Sequence, residues 1–167
     1  MDKRKITKLS FYDFDGTMCH SPIPETGVHQ WAEHYGKPYP HVGWWSKEES
    51  LDMNAFDIQT VDFVKKAWEA DTHNEHCATF LLTSRLYKLK PNVMKVLEKN
   101  GITFDGYFFK HFGKEKPDVV MEVLNQFPNV KEIHVWDDRD KEIILYRKAK
   151  RQFEEMGIDF VIHVVQA

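Results

Sequence analysis

Two hydrophobic patterns alternate along most of the chain. Short apolar runs, typical of buried strands, are separated by longer stretches in which apolar residues recur every three or four positions, as on one face of a helix. The runs predict strands at 9–14, 78–82, 107–109, 132–136 and 160–165, and the periodic stretches predict helices at 57–70, 91–99, 117–127 and 140–156. Proline at the first position of the second helix and glycine just beyond the second and fourth support their ends.

The segment that follows the first predicted strand breaks this alternation. Residues 18–54 carry four of the seven prolines and the pair Trp44-Trp45, and they show no regular period. A long irregular stretch inside a compact domain is usually functional or disordered, and the aromatic content here favours order. We therefore interpret 18–55 as a loop or cap-like insertion within a single domain, 1–167. Trp44 and Trp45 are expected to pack the insertion onto the sheet, with stacking on a base or sugar as the alternative.

Regular alternation of strands and helices predicts the α/β class with a central parallel sheet. In such sheets a ligand binds outside the carboxyl ends of the strands, near a reversal of strand order. The residues that directly follow each strand are therefore the candidates for chemistry.

Composition narrows the setting in which the protein works. The chain has 167 residues, about one domain, and a formal net charge of −3, which gives no overall attraction to nucleic acid or to membranes. Two cysteines exclude a disulfide framework. Neither a secretory signal pattern nor an apolar stretch of membrane-spanning length is present, so we expect a cytoplasmic protein.

A pair of carboxylates follows the first strand. Asp13 and Asp15 are two positions apart, so they point to the same side of an extended chain with Cα atoms roughly 7 Å apart. That spacing can hold a phosphoryl group and a metal ion. Gly16 then allows a sharp turn. A simple Asp-Gly turn would explain Asp15 and Gly16 but not Asp13.

Three further groups lie at element ends. Thr83, Ser84 and Arg85 follow the second strand and can bind phosphate oxygens through hydroxyl, amide and guanidinium groups, although Ser and Thr are also common helix caps. A run with two lysines precedes the helix at 117, and either lysine can neutralise phosphate. Acidic residues follow the fourth strand, where oxygen ligands suit Mg²⁺ and where acids also favour a helix N-terminus. These two runs are Lys114-Glu115-Lys116 and Asp137-Asp138-Arg139-Asp140.

The order of these groups resembles the haloacid dehalogenase (HAD) superfamily of phosphotransferases. Asp13-x-Asp15-Gly16-Thr17 is similar to its first motif, Thr83 lies at the second, a lysine of the 114–116 run at the third and Asp137-Asp138 at the fourth. The resemblance covers almost the whole chain, least well in the insertion. It implies a HAD-like, Rossmann-type three-layer sandwich.

The resemblance also implies roles for individual residues. Asp13 would be the nucleophile that forms an aspartyl-phosphate, and Asp15 would act as the general acid and base. Lys116 would orient Asp13 and the phosphate, with Lys114 as the alternative. Thr83 would bind phosphate, and the other implied substrate ligands are Ser84, Arg85 and Arg139.

A magnesium ion is the implied cofactor. Asp138 would hold it together with Asp13 and the backbone carbonyl of Asp15. Asp137 would be either a second direct ligand or the partner of one. The sequence leaves open which of Asp137 and Asp138 binds the metal directly.

A narrower resemblance concerns the substrate. The stretch from Lys116 to Arg139 and the Gly43-Trp44-Trp45 element are similar to the Swiss-army-knife RNA-repair-like branch of the superfamily, and the Asp-Asp-Arg element is similar to the 3′-phosphatase domain of phage polynucleotide kinase. The chain departs from that bifunctional enzyme because it has no Gly-x-x-x-x-Gly-Lys-Ser/Thr kinase loop. The resemblance implies removal of 3′-phosphate from nucleic-acid ends. A small-molecule or nucleotide phosphatase and a binding module with an inactive site are the alternatives.

Overall fold

The computed structural model describes residues 1–166, which form five strands and five α-helices. The strands are β1 (Lys8–Tyr12), β2 (Cys77–Leu82), β3 (Gly106–Phe108), β4 (Glu132–Asp137) and β5 (Asp159–Val164). The helices are α1 (Pro24–Tyr35), α2 (Asp62–His73), α3 (Lys90–Lys99), α4 (Lys116–Leu124) and α5 (Asp140–Glu155).

The five strands form one parallel sheet in the order β3-β2-β1-β4-β5. β1 is central and pairs with β2 on one side, where Lys8 is level with Cys77, and with β4 on the other, where Lys8 is level with Glu132. The strand order therefore reverses at β1. In a parallel sheet of this kind, the crevice for a ligand opens at that reversal, beyond the carboxyl ends of the strands.

Helices cover both faces of the sheet, so the central strands are buried on both sides and read as continuous apolar runs. On one face, Tyr12 and Leu81 pack with apolar residues of α2 and α3. On the other face, Phe11 and Phe80 pack with apolar residues of α4 and α5. The α/β class, the parallel sheet and the three-layer arrangement predicted from the sequence are confirmed.

The insertion is more regular than its sequence predicts. Pro24–Tyr35 is helical, whereas the sequence predicted no element there. Proline lies in its first turn, and Gly36 ends it in the left-handed conformation at φ 63°. α2 begins at Asp62 rather than at 57, because the preceding residues are extended and pair with the start of the insertion. The backbone amide of His20 donates to the Gln59 carbonyl at 2.8 Å.

Aromatic residues join the insertion to the core under the sheet. Trp31 of α1 and Trp44 are buried in the same apolar cluster as Tyr12 and Leu81. The indole Nε1 of Trp44 donates to the Pro22 carbonyl at 2.7 Å, so Trp44 also joins the segment that follows α1 to the segment that precedes it. The insertion is thereby held against the sheet next to the carboxyl ends of the strands.

Candidate active site

The carboxyl ends of β1, β2 and β4 bring together residues that are far apart in the sequence. The amide of Asp13 donates to the carbonyl of Trp136 at 3.0 Å, which continues the β1–β4 ladder by one residue and places Asp13 beside the end of β4. Asp137 ends β4 and Asp138 follows it. Thr83 follows β2 on the other side of β1. The strand-end residues predicted from the sequence therefore meet at one edge of the sheet.

Asp13 is fixed by a buried lysine. Only 4% of the residue surface of Asp13 is exposed. The ammonium of Lys116 lies 3.1 Å from Asp13 Oδ1 and 2.6 Å from Asp137 Oδ2. Lys116 is the first residue of α4, and a capping box between Glu115 and Asp118 fixes the start of that helix. The helix terminus thus aims the lysine at the end of the sheet.

Like charges accumulate around Asp13. Burial raises the pKa of Asp13 well above its ordinary value, and the charges of Asp137 and Asp138 raise it further, while Lys116 opposes both. Burial likewise raises the pKa of Asp138. Burial lowers the pKa of Lys116, but Asp13 and Asp137 outweigh this effect, so its pKa lies above the ordinary value. The lysine therefore stays protonated.

The donor set of this cluster fits a hard divalent cation. Carboxylate oxygens of Asp13, Asp137 and Asp138 all lie within 4.8 Å of one another. When all three carboxylates are ionised, the ammonium of Lys116 leaves two net negative charges in a site that is mostly buried, and a Mg²⁺ ion would balance them. Asp13 and Asp138 could hold it, because the lysine pairs more closely with Asp137, at 2.6 Å, than with Asp13, at 3.1 Å.

Gly16 makes room for this arrangement. Its φ is +70°, and a Cβ built on it would lie 2.2 Å from Asp138 Oδ2. Only glycine allows both the left-handed turn and the approach of that carboxylate. The hydroxyl of Thr17 then donates to Asp13 Oδ2 at 3.2 Å, which orients the carboxylate from the side away from Lys116.

Asp15 is held by a different cation. The guanidinium of Arg85 binds it bidentately, with Nε at 2.8 Å from Oδ2 and Nη2 at 2.8 Å from Oδ1. Arg85 is itself buried and also donates through Nη1 to the carbonyl of Trp45 at 2.7 Å and to the hydroxyl of Ser50 at 2.6 Å. The hydroxyl of Ser21 also donates to Asp15 Oδ1. Arg85 therefore connects Asp15 to the insertion.

A cavity of about 400 Å³ opens over these residues. Asp13, Asp15 and Asp138 line it, and so do Ser84, Arg85 and Arg139. The insertion contributes Ser21, Ile23, Trp45 and Ser46. A second cavity of about 140 Å³ adjoins it, and Ser84, Lys110 and Arg139 line both. The site is thus formed by the sheet on one side and by the insertion on the other.

Most of the residues predicted from the sequence lie at this site, but two are placed differently from expectation. Thr83 lines the smaller cavity, and its hydroxyl accepts a hydrogen bond from the amide of Arg85 at 3.1 Å. Arg85, expected to bind substrate, has two of its nitrogens on Asp15. Lys114, the alternative to Lys116, pairs with Glu122 at 2.7 Å.

Sequence reasoning missed several residues that contact the acids or Arg85, or that line the cavity. Thr17 belongs to the quoted first motif and could have been found from it. Ser21 and Ser50 lie in the insertion, where no periodicity or motif marks them. Lys110 follows β3 by two residues, so the rule that strand ends carry the chemistry applies to it as well.

Two solved structures that share this fold are named as hydrolases. The chain aligns over 95% of its length with a haloacid dehalogenase-like hydrolase of Streptococcus pneumoniae (TM-score 0.50, 16% identity, 94% of that chain). It aligns equally far with a HAD-superfamily hydrolase, subfamily IA, of Geobacter sulfurreducens (TM-score 0.51, 14% identity, 87% of that chain). The protein therefore has a HAD-like fold.

A chain of the Pnkp1/Rnl/Hen1 complex matches with a TM-score of 0.57 at 14% identity, and the protein spans 46% of that chain. By sequence, an uncharacterized protein of Saccharomyces cerevisiae is 24% identical over 85% of the chain, which spans 36% of the yeast protein. No protein-family model matches the chain. None of the helices in residues 1–166 has both the length and the apolar character needed to cross a lipid bilayer.

Proposed function

We propose that the protein is a Mg²⁺-dependent phosphohydrolase that works through an aspartyl-phosphate on Asp13 and removes 3′-phosphate from nucleic-acid ends. The observation that carries this proposal is the environment of Asp13. A carboxylate is buried at the end of a central strand, touched by a protonated lysine, and faces a cavity that a second, separately fixed carboxylate also lines. This environment supports a role for Asp13 in attack on phosphorus rather than in the stability of the fold.

The first chemical step joins Asp13 to the phosphoryl group. A carboxylate oxygen of Asp13 attacks the phosphorus, and the bond to the leaving oxygen breaks as that oxygen takes a proton from Asp15. Asp15 therefore has to take up a proton, and release one of its two contacts with Arg85, before this step. Lys116 supplies positive charge beside Asp13 and lowers the energy of the crowded negative charge. The bidentate contact with Arg85 keeps Asp15 in one orientation toward the cavity.

The second step regenerates the enzyme. Asp15, now ionised, takes a proton from a water molecule, whose oxygen attacks the phosphorus of the aspartyl-phosphate. Phosphate leaves and the carboxylate of Asp13 is restored, so protons and bonds balance over the cycle. Positioning and electrostatic stabilisation carry most of this type of transfer.

Magnesium belongs to the proposal because the carboxylate cluster fits it. Asp13 and Asp138 would hold the ion, with Asp137 supporting them through Lys116. When bound, the ion would supply positive charge to the phosphoryl oxygens. A reducing, cytoplasmic setting is also part of the proposal, because Cys19 and Cys77 are both free thiols buried in the fold.

Two observations support a nucleic-acid end as the substrate. The cavity of about 400 Å³ is open and larger than a phosphate group needs. The chain also has the fold of a component of the Pnkp1/Rnl/Hen1 complex. Together with the resemblance of the 116–139 stretch to 3′-phosphatases, they favour a bulky substrate that carries a terminal phosphate.

Phosphate release measured on a panel of substrates tests the proposal. The panel contains a 3′-phosphorylated oligonucleotide, the 5′-phosphorylated oligonucleotide of the same sequence, mononucleotides and an aryl phosphate, each with Mg²⁺ and with chelator. We expect the 3′-phosphorylated oligonucleotide to have the highest kcat/KM, and we expect chelator or Asp13→Asn to abolish turnover. Turnover that survives both treatments would exclude the Asp13 mechanism.

The nucleic-acid assignment is tested separately by the ranking of substrates. Mononucleotides that far exceed the 3′-phosphorylated oligonucleotide in kcat/KM would show a nucleotide or small-molecule phosphatase with the same catalytic residues. Equal rates on the 3′- and 5′-phosphorylated oligonucleotides would remove the preference for the 3′ end.

A further inference from the structure

The insertion places a partly exposed tryptophan in the wall of the cavity. Trp44 and Trp45 are neighbours in sequence, but their surroundings differ. Trp44 is 3% exposed and packs in the core, as the sequence predicted for the pair, whereas Trp45 is 42% exposed and lines the cavity beside the catalytic carboxylates. Core packing therefore explains Trp44 and leaves Trp45 unexplained.

Trp45 is fixed in position although its ring is accessible. The guanidinium carbon of Arg85 lies 5.1 Å from the ring centroid, and Nη1 of the same guanidinium donates to the Trp45 carbonyl at 2.7 Å. One face of the indole thus rests on a buried cation that is itself bound to Asp15. A rigid aromatic surface costs little conformational entropy when a flat ligand binds on it.

Further apolar surface lies in the same cavity. Ile23, at the start of α1, is 48% exposed and lines it, and Leu86 lines it from the β2 side. A phosphate group alone needs no such surface. The cavity wall therefore fits a substrate whose phosphate is attached to a flat apolar group, because burial of such a group on Trp45 and Ile23 is favourable.

Positive charge beyond the catalytic residues further restricts the class of ligand that fits the cavity. Lys110 and Arg139 line both the catalytic cavity and the smaller one beside it. Within residues 1–166, neither has a carboxylate within 4.0 Å. A strand with a 3′-phosphate carries a second phosphate on the other side of its terminal nucleoside, and these two cations can neutralise it.

We infer that Trp45 is a stacking platform for the terminal base of a single-stranded, 3′-phosphorylated polynucleotide. The inference rests on the proposed function and adds the residue that recognises the substrate. Aromatic side chains bind unpaired bases of any sequence in this way, because every base has a π-face. The insertion thereby determines which phosphomonoesters are bound, while the sheet supplies the chemistry.

Binding to a catalytically inactive protein tests the platform without requiring turnover. We would measure Kd by fluorescence anisotropy for Asp13→Asn with Mg²⁺, using a 5′-labelled single-stranded hexanucleotide with a 3′-phosphate and the same oligonucleotide with an abasic terminal residue. Loss of the base is expected to weaken binding roughly 5- to 100-fold, the range of base–aromatic stacking. Adding Trp45→Ala should weaken binding of the intact oligonucleotide by a similar factor and leave the abasic one within about twofold.

Two further variants separate recognition from folding. Trp45→Phe keeps an aromatic face and should retain binding of the intact oligonucleotide within a few-fold. Phe63→Ala removes a comparably exposed aromatic side chain on α2, away from both cavities, and should change neither Kd. Thermal unfolding of each variant verifies that the fold is kept.

Three results would overturn the platform. Trp45→Ala could weaken binding of both oligonucleotides equally or of neither, or Asp13→Asn could fail to bind either oligonucleotide. The third is tighter binding of a phosphotyrosyl peptide than of the oligonucleotide. Phosphate release by the wild-type protein from the same hexanucleotide reports the proposed function separately. Base-dependent binding without hydrolysis would contradict the proposed function and keep the platform. Hydrolysis that is independent of Trp45 would support the proposed function and contradict the platform.

Discussion

Arg85 performs a task that its place after β2 does not reveal. An arginine after a strand is a natural phosphate ligand. Here its side chain is almost fully buried, and its nitrogens bind Asp15, the Trp45 carbonyl and the Ser50 hydroxyl. Arg85 therefore orients the proposed general acid and fastens the insertion to it, and the cavity retains its other cations for substrate.

Replacing Arg85 with lysine tests this role. Lysine keeps the charge but offers a single point contact in place of the planar fork, so Asp15 and Ser50 lose defined partners. We expect Arg85→Lys to lower kcat by roughly 10- to 1000-fold, within the range of general acid catalysis, and to reduce the free energy of unfolding by about 1–3 kcal/mol. Steady-state kinetics and urea unfolding measure the two effects. Arg147→Lys, on the exposed surface of α5, is the matched control, and an effect of equal size there would contradict the role of Arg85.

Lys116 and Lys114 form a natural pair of variants. Lys116 is the counterion of two buried carboxylates, whereas Lys114 makes an ion pair near the surface. We expect Lys116→Met to reduce turnover at least 100-fold and to cost about 3–5 kcal/mol of stability in metal-free protein, because it leaves buried charges unpaired. Lys114→Met should cost less than about 1 kcal/mol. If Lys114→Met were the more damaging change in both assays, the assignment of Lys116 would be wrong.

At the scale of elements, hydrophobic periodicity was sufficient for the sheet and for the helices that cover it. All five predicted strands exist within two residues of their predicted bounds, since buried parallel strands leave an uninterrupted apolar signature. α1 escaped prediction because its segment is rich in proline and polar residues. Its proline start and Gly36 end were visible in the sequence, but the surrounding irregular composition outweighed them.

The candidate site was predictable to the same extent. Strand ends identified Asp13, Asp15, Arg85 and Asp138 as neighbours, because topology alone brings strand ends together. The partners supplied by the insertion were not predictable. Ser50 and the Trp45 carbonyl reach Arg85 across 35 and 40 residues of chain whose path no local pattern specifies. The sequence also could not show that Arg85 faces a carboxylate rather than the cavity.

The β4–β5 pair contains a titratable cluster outside the site. His134 Nδ1 and His163 Nε2 are 2.8 Å apart, and Trp136 stacks on His163 with ring centroids 3.8 Å apart. Burial, then repulsion from His134 and Lys8, lowers the pKa of His163 to about 4. A histidine that is harder to protonate in the folded state contributes stability above its ordinary pKa, and that contribution is lost as the pH falls through the folded value.

The lowered pKa of His163 in the β4–β5 cluster predicts how the stability of the protein changes in acid. Between pH 6.5 and 4 the wild-type protein should lose stability more steeply than His163→Gln, because only the wild type must protonate this histidine on unfolding. Urea midpoints measured at half-unit pH steps in that window give both slopes. His29→Gln, at an exposed position on α1, should follow the wild-type slope. Parallel slopes for wild type and His163→Gln would contradict the assignment.

For the whole molecule, the carboxylate cluster lowers the stability of the fold in the absence of a ligand. Asp13, Asp137 and Asp138 repel one another in a mostly buried site, with one lysine to balance them. The protein therefore carries an electrostatic cost in the fold that a bound cation would reduce. Such a cost is common where a site is arranged for binding rather than for packing.

Magnesium should accordingly raise the melting temperature. At about 100 times its Kd, a ligand specific for the folded state contributes roughly 2.7 kcal/mol, which corresponds to roughly 5–10 °C for a domain of this size. We expect Asp138→Asn to melt no lower than wild type in chelator and to lose most of the Mg²⁺ effect. Differential scanning calorimetry in MgCl₂ and in NaCl of matched ionic strength measures this. An equal increase in NaCl would show general screening instead of a bound ion.

The position of β1 at the centre of the sheet has a consequence for synthesis of the chain. Lys8 of β1 is level with Glu132 of β4, so this edge of the first strand has no partner until 124 further residues have been made. At roughly 5–20 residues per second, that interval lasts roughly 6–25 s. During this interval the unpaired edge of an apolar strand is exposed on the nascent chain, where it can pair with other chains. Cells that make this protein rapidly should therefore depend on nascent-chain chaperones for its yield.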